Sequence, residues 1–329
     1  MARVAVVFTG GTISMGFDPV AGGNVPSLDG AAILERTPGL DAFADVVAID
    51  RGLTPASHFT FRDLMTLRGV IAGALDDEGI DGVVVVQGTD TIEETAFAWD
   101  LTLETSKPVV VTGAMRASHE EDYDGPANLR RSVAAAASTA LSDAGVVVSL
   151  AGTLEAADDV TKMHTRAFDT FRSPNRGSFA LVDDDGSVRV GTPRGPRRRL
   201  RPVPTDGARV ELVQAGIGSD GAMIDAAVST GARGIVVAAT GAGNTSKGLL
   251  DAAERAMNED VVVVLASRCP AGAVSDAYAF PGGGATWIRA GALPVGTLCA
   301  IKARVALALG LGAGLGRDPL ADLLADPVG

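Results

Sequence analysis

Short, unbroken apolar runs recur along the chain, each ending in a turn that carries glycine or hydroxyl residues. Arg3-Val4-Ala5-Val6-Val7-Phe8 leads into Thr9-Gly10-Gly11-Thr12-Ile13. Gly82-Val83-Val84-Val85 leads into Val86-Gln87-Gly88-Thr89-Asp90-Thr91, and Val109-Val110-Val111 into Thr112-Gly113-Ala114-Met115-Arg116. Uninterrupted β-branched runs of this length predict buried strands. Asp45-Val46-Val47-Ala48-Ile49-Asp50 and Gly145-Val146-Val147-Val148-Ser149-Leu150 add two more. Between them the pattern predicts helices over residues 30–36, 61–75, 91–104 and 127–141. Residues 178–182 and 187–190 flank Asp183-Asp184-Asp185-Gly186, a hairpin signal. Residues 14–29 are rich in Gly and Pro and lack an apolar period, so a mobile loop is expected there. Its length is one at which loops often serve as lids.

The pattern then starts afresh. Val210-Glu211-Leu212-Val213, Gly234-Ile235-Val236-Val237-Ala238 and Val261-Val262-Val263-Val264-Leu265 predict three strands, separated by helices over 221–230 and 248–257. An apolar helix follows over 301–309. Such alternation implies parallel sheets with right-handed crossovers. The expected fold is α/β in two domains. The larger, residues 1–190, has a mostly parallel sheet with flanking helices; a smaller parallel α/β domain occupies 209–329. A linker is expected over 191–208, with four prolines (Pro193, Pro196, Pro202, Pro204) and five arginines (Arg194, Arg197, Arg198, Arg199, Arg201).

Composition narrows the function. A net charge of −12 argues against nucleic acid as the main partner, and the basic run at 194–201 lacks aromatic interleaving. Aromatics at 4% leave the core to aliphatic packing. No apolar stretch reaches the roughly 18 residues that a membrane helix needs. Two cysteines, Cys269 and Cys299, are too few for a disulfide framework in 329 residues. With no basic-then-apolar secretory signal, a cytoplasmic protein is expected.

The turns hold the candidate chemistry. Glycine pairs let a backbone turn sharply and approach a bound molecule. Hydroxyls at the carboxyl ends of parallel strands lie where open α/β sheets bind ligands. Thr9 and Thr12 fit that description, and equally fit a threonine capping a helix. Asp90 stands at the start of the helix predicted over 91–104, as a cap or beside bound charge. Asp159-Val160-Thr161-Lys162 adds a lysine among polar residues. A dinucleotide or phosphate module fits less well. Residues 10–15 read Gly-Gly-Thr-Ile-Ser-Met rather than G-x-G-x-x-G, and Gly243-Asn244-Thr245-Ser246-Lys247 lacks the P-loop glycine before lysine. There is no G-x-S-x-G or H-E-x-x-H motif, and three scattered histidines make a poor metal site. Neither cofactor nor metal is expected.

Taken together, Thr9-Gly10-Gly11-Thr12-Ile13, Gly88-Thr89-Asp90-Thr91, Gly113-Ala114-Met115-Arg116, Asp124-Gly125-Pro126-Ala127-Asn128 and Lys302-Ala303-Arg304 resemble the bacterial-type L-asparaginase/glutaminase family, nearly end to end and in order. The resemblance is to the cytoplasmic-type branch. It implies hydrolysis of L-asparagine through a threonine acyl-enzyme, with side activity on L-glutamine. It also implies Thr12, Thr89, Asp90 and Lys162 as the catalytic set, and Gly11, Ser57, His58, Gly88, Ala114, Asn244 and Tyr278 as substrate contacts. Ser57 would grip the α-carboxylate and Asp90 the α-ammonium. Asn244 would reach the amine from a neighbouring subunit of a homo-oligomer, dimer or tetramer. From the residues alone Ser57 could equally be a turn hydroxyl, His58 a solvated histidine and Tyr278 a half-buried core tyrosine. Which threonine attacks first stays open. The lid region departs from the secreted members in having no tyrosine, since only Tyr123 and Tyr278 occur; Asn24-Val25 stand about there. Two alternatives accompany this reading: a catalytically weak amino-acid-binding relative, and the amidase subunit of a tRNA-dependent amidotransferase. The latter usually carries extra sequence ahead of its first threonine signature.

Overall fold

The computed structural model describes residues 1–192 and 194–326. Pro193 of the expected linker, and 327–329 of the expected second domain, lie outside the described residues. The chain divides into two compact units, Met1–Arg197 and Arg198–Gly329.

In the first unit five strands run parallel: β1 Ala2–Phe8, β2 Ala44–Asp50, β3 Gly82–Val86, β4 Val109–Thr112 and β5 Val146–Leu150. Thr153–Ala156 (β6), Ala180–Val182 (β7) and Val188–Val190 (β8) extend the sheet in antiparallel fashion. The order across the sheet is β8-β7-β6-β5-β4-β3-β1-β2. The chain therefore leaves β1 in one direction and returns to its other side with β3. That reversal opens a crevice at the carboxyl ends of β1 and β3, where doubly wound sheets bind ligands.

Apart from the edge strand β2, whose residues alternate in exposure, the parallel strands are apolar without alternation because both faces of the sheet are covered. Val4, Val6, Phe8, Val84 and Val110 pack with Ile33, Leu129 and Val133, from helices Gly30–Glu35 and Gly125–Ala136. Ala5, Val7, Val83, Val85 and Val111 pack oppositely, with Ile71 and Trp99 from helices Phe61–Asp76 and Ile92–Thr102. Register brings the rim level: Phe8 is opposite Asp50 and Val86, and Val86 opposite Thr112. Four loops thus emerge side by side.

Two expectations change. Residues 14–29 are not an irregular loop, because Met15–Asp18 and Gly23–Pro26 pair as an antiparallel hairpin. Asp18 Oδ1 accepts the Val20 and Ala21 N–H groups, and Gly22 turns at φ 67°, so local turn chemistry closes it without hydrophobic alternation. The helix expected over 127–141 stops at Ala136. Ser138 then caps a separate single turn, Thr139–Leu141. Within the stretch expected as a linker, Arg194 and Arg197 are partly buried and Arg198 is buried, whereas Arg199 and Arg201 are exposed. Arg194 and Arg197 pair with Asp100 inside the first unit, and Arg198 bonds Ala325 O and Asp326 inside the second.

The second unit holds a parallel sheet in the order β9 Val210–Gln214, β10 Gly234–Ala239, β11 Val262–Ser267 and β12 Leu293–Pro294. Helices Ala222–Ser229, Lys247–Asn258 and Gly284–Ala290 supply Ile224, Leu249 and Trp287 to its core. The apolar helix Ala300–Gly312 packs on β10, where a Cβ on Gly234 would meet Leu307 at 2.7 Å. Among the described residues, no helix is long and apolar enough to cross a membrane.

Candidate active site

The turn after β1 is wedged against the turn after β3. Gly10 and Gly11 have φ of 102° and 100°, a region that favours glycine. A Cβ on Gly11 would lie 2.2 Å from the Gly88 nitrogen, so only glycine fits. The two hydroxyls flanking this pair part company. Thr9 is buried and donates to Val86 O at 3.1 Å, tying β1 to β3. Thr12 opens the single turn Thr12–Ser14, stays half-buried, and makes no side-chain hydrogen bond among the described residues.

After β3, Thr89-Asp90-Thr91 form one 3-10 turn leading into the helix Ile92–Thr102. Asp90 is not that helix's cap; Thr91 holds the position, without a side-chain capping bond. The Asp90 carboxylate is engaged elsewhere. Lys162 lies on the two-residue strand Thr161–Lys162, paired with Phe171–Arg172. Its Nζ donates to Asp90 Oδ1 at 2.8 Å and to Thr89 Oγ1 at 2.9 Å. The lysine side chain is 13% exposed and Asp90 73%. One largely buried cation therefore holds a hydroxyl and a solvent-facing carboxylate together, although Lys162 is far from both in sequence. Asp90, Lys162, Met163, His164 and Thr165 line an open depression here.

Ser57 and His58 occupy the single turn Ala56–His58 in the loop after β2, both exposed. That loop is bonded to the β1 rim through Arg51 N–H to Phe8 O (2.8 Å) and Thr54 N–H to Thr9 O (2.9 Å). Ala56 O accepts the Thr91 hydroxyl at 3.2 Å, so the loop also meets the β3 turn. Ala114 is fully buried in the loop after β4. Thr12, Thr89, Asp90, Lys162, Gly11, Gly88, Ser57, His58 and Ala114 all belong to the first unit.

Asn244 and Tyr278 belong to the second. Asn244 O accepts from Thr240 N–H at 2.9 Å and from Thr240 Oγ1 at 2.8 Å, and its Oδ1 accepts from Gly284 N–H at 3.4 Å. Tyr278 is 47% exposed with its ring beside Phe280, so it is not a core tyrosine.

Residues that sequence reasoning left without a role support the loop after β4. Asp124 accepts Met115 N–H at 3.0 Å and Arg116 N–H at 2.9 Å. Asn128 Nδ2 donates to Gly113 O (3.1 Å) and Asp124 Oδ2 (2.9 Å), and its Oδ1 accepts Ala151 N–H. Tyr123 donates to Ile13 O at 2.8 Å. Burial pushes its phenol up to about 12, with Arg36 opposing the rise and Asp124 adding to it. The block Asp124-Gly125-Pro126-Ala127-Asn128 was the available signal, since two amide- or carboxylate-bearing residues at i and i+4 share a helix face.

Comparison with known proteins follows the same two units. The family model "Asparaginase, N-terminal" matches residues 3–194, and "Glutaminase/Asparaginase C-terminal domain" matches 209–324. A protein of Deinococcus radiodurans named probable L-asparaginase is 35% identical, over 97% of this chain and 96% of that one. L-asparaginase 2 of Escherichia coli is 32% identical, over 94% and 89%. The crystal structure of a probable cytoplasmic L-asparaginase from Campylobacter jejuni superposes with a TM-score of 0.87 at 30% identity, covering 98% of this chain and 99% of that one.

Proposed function

This chain belongs to the asparaginase family, and from that premise we propose that it is an amidohydrolase converting L-asparagine and water to L-aspartate and ammonia. The observation that carries the reading is Lys162 Nζ between Thr89 Oγ1 and Asp90 Oδ1, beside a glycine turn that presents Thr12. An amide is a poor electrophile and a neutral hydroxyl a weak nucleophile, so held substrate, proton acceptor and oxyanion donors are all required.

In the proposed course, Thr12 Oγ1 attacks the side-chain carbonyl carbon. The C–N bond breaks, the threonine proton goes to the leaving nitrogen, and ammonia departs from an aspartyl ester. Water then cleaves that ester, giving aspartate and restoring the Thr12 hydroxyl. Thr89 relays the proton of this water, taking it up as its own hydroxyl proton passes to the departing Thr12 oxygen, and the Lys162 ammonium stabilises the negative charge that develops on Thr89 Oγ1. Asp90 has a second oxygen for the substrate α-ammonium, a charge-assisted contact. Ser57 holds the α-carboxylate, with His58 beside it. Gly11, Gly88 and Ala114 set the backbone around the amide. Asn244 and Tyr278 complete the site from a neighbouring copy in a homo-oligomer. A cytoplasmic location accords with the likeness to the probable cytoplasmic L-asparaginase of Campylobacter jejuni.

An extra methylene changes discrimination by only about 1–3 kcal/mol, so slower hydrolysis of L-glutamine is expected. The test is ammonia release from L-asparagine, L-glutamine and D-asparagine without ATP or added metal. Steady release, fastest from L-asparagine, is the expected result. Binding without release would indicate an amino-acid-binding relative, and release only with ATP and charged tRNA an amidotransferase subunit.

A further inference from the structure

Gln87 is fully buried, yet it stands immediately before the Gly88-Thr89 turn. Its main chain is held by Gln87 N–H to Thr112 O at 3.0 Å. A Cβ on Gly113 would lie 2.5 Å from Gln87 O and 3.1 Å from Thr89 Cγ2, so the neighbouring loop is packed tightly on this turn. The side chain bridges two elements. Its Oε1 accepts from Thr95 Oγ1 at 2.9 Å, and its Nε2 donates to Gly88 O at 3.2 Å. Thr95, 1% exposed and one turn into the helix Ile92–Thr102, has a second, longer contact to Ile92 O at 3.2 Å. The Thr95 hydroxyl thereby selects which end of the Gln87 amide faces Gly88.

A trans peptide is planar, so its C=O and the following N–H point in opposite directions. Gln87 pulls the Gly88 carbonyl towards the interior. The Thr89 N–H must then face outward, towards the crevice, and as the first N–H of a helical turn it has no partner within that turn. We propose that Gln87, oriented by Thr95, is a positioning residue: it clamps the Gly88–Thr89 peptide so that the Thr89 N–H is aimed at the oxyanion of the reacting amide. The proposal rests on the asparaginase reading for the reaction, but the clamp itself is a matter of peptide orientation. A fixed donor aimed in advance needs no reorganisation as charge develops, and removal of one such donor typically costs ~10²–10³ in kcat.

The test compares Gln87→Met, Thr95→Val and Thr95→Ser by steady-state ammonia release from L-asparagine, with crystal structures of wild type and Gln87→Met. Gln87→Met keeps the length of the side chain but removes the donor to Gly88 O, so kcat should fall about a hundredfold, on the scale of a lost oxyanion donor, with KM little changed. Thr95→Val should lower kcat less, and Thr95→Ser should restore it. Thr95→Val also probes the clamp from the helix side if a Gln87 variant does not fold. In the Gln87→Met crystal the Gly88–Thr89 peptide should turn away from its wild-type orientation. An unchanged kcat in Gln87→Met, a matched rise in KM instead of the fall in kcat, or an unturned peptide would each overturn the clamp. A wild-type protein that releases no ammonia would defeat the asparaginase reading separately, and the two crystals would still decide the clamp.

Discussion

Tyr123 donates its phenolic hydrogen to the carbonyl oxygen of Ile13 at 2.8 Å, one residue beyond Thr12. The contact joins the loop after β4 to the turn after β1, and it keeps the phenol in a largely buried place. Because the native pKa of about 12 lies above the ordinary 10.0, the sign follows directly. The contribution of Tyr123 to stability is complete below about pH 10 and is lost as pH rises towards 12. Tyr123→Phe should remove a late-ionising phenol from an ultraviolet pH titration and flatten the alkaline fall in stability. Superimposable alkaline profiles for the two proteins would contradict it.

The two threonines are separable by trapping. Thr12→Val should abolish turnover while preserving size, shape and asparagine binding. Thr89→Val should slow deacylation more than acylation, so denaturing mass spectrometry should find an aspartyl group on the peptide containing Thr12. Groups acting as a unit lose comparable activity whichever is removed, so rates alone do not distinguish them. An adduct on Thr89 in the Thr12→Val protein would reverse the assignment.

Gly11→Ala should be inactive and destabilised. The new methyl would overlap the Gly88 nitrogen and α-carbon at 2.2 and 2.4 Å, and backbone cannot swing aside as a flexible side chain can. The loss at φ 100° compounds the clash. Gly22→Ala, also at positive φ but with open space around its Cβ, isolates the conformational part. Comparable activity and urea midpoints for the two variants would refute the steric account.

Arg194→Met tests the buried ion cluster. Arg194 bonds Asp100 at 2.6 Å and Asp158 at 3.1 Å, with all three side chains under a tenth exposed. Burial opposes the guanidinium charge, but Asp100 and Asp158 more than offset this and hold its pKa above the ordinary value. Removing one partner of a buried pair costs ~3–5 kcal/mol. Arg197 still faces Asp100 and Arg176 still faces Asp158, so the lower end, about 3 kcal/mol, is expected by urea unfolding. A loss below about 1 kcal/mol, the range of surface pairs, would mean that the cluster is not a structural tie.

The chain itself determined the elements and the family. Apolar runs such as Val83-Val84-Val85 and Val109-Val110-Val111 are local signals, because two-sided burial leaves no polar residue in the strand. The motifs that carry the family likeness are contiguous, so one sequence displays them whole. Tertiary structure decided what pairs with what. Nothing in the spacing of Lys162 says that it reaches back to Thr89 and Asp90 rather than to solvent. Thr9 and Thr12 are equivalent in composition, and only the strand pairing of β1 with β3 consumes one hydroxyl and leaves the other at the crevice. The hairpin at Met15–Asp18 was hidden because its turn is closed by side-chain bonds from Asp18, which leave no hydrophobic period. The arginines near residue 194 read as part of a linker because a sequence lists charges without their counter-ions, whereas the fold buries Asp100 and Asp158 against Arg194. Periodicity records how much of each segment meets a core; it carries no information about which distant group meets it there.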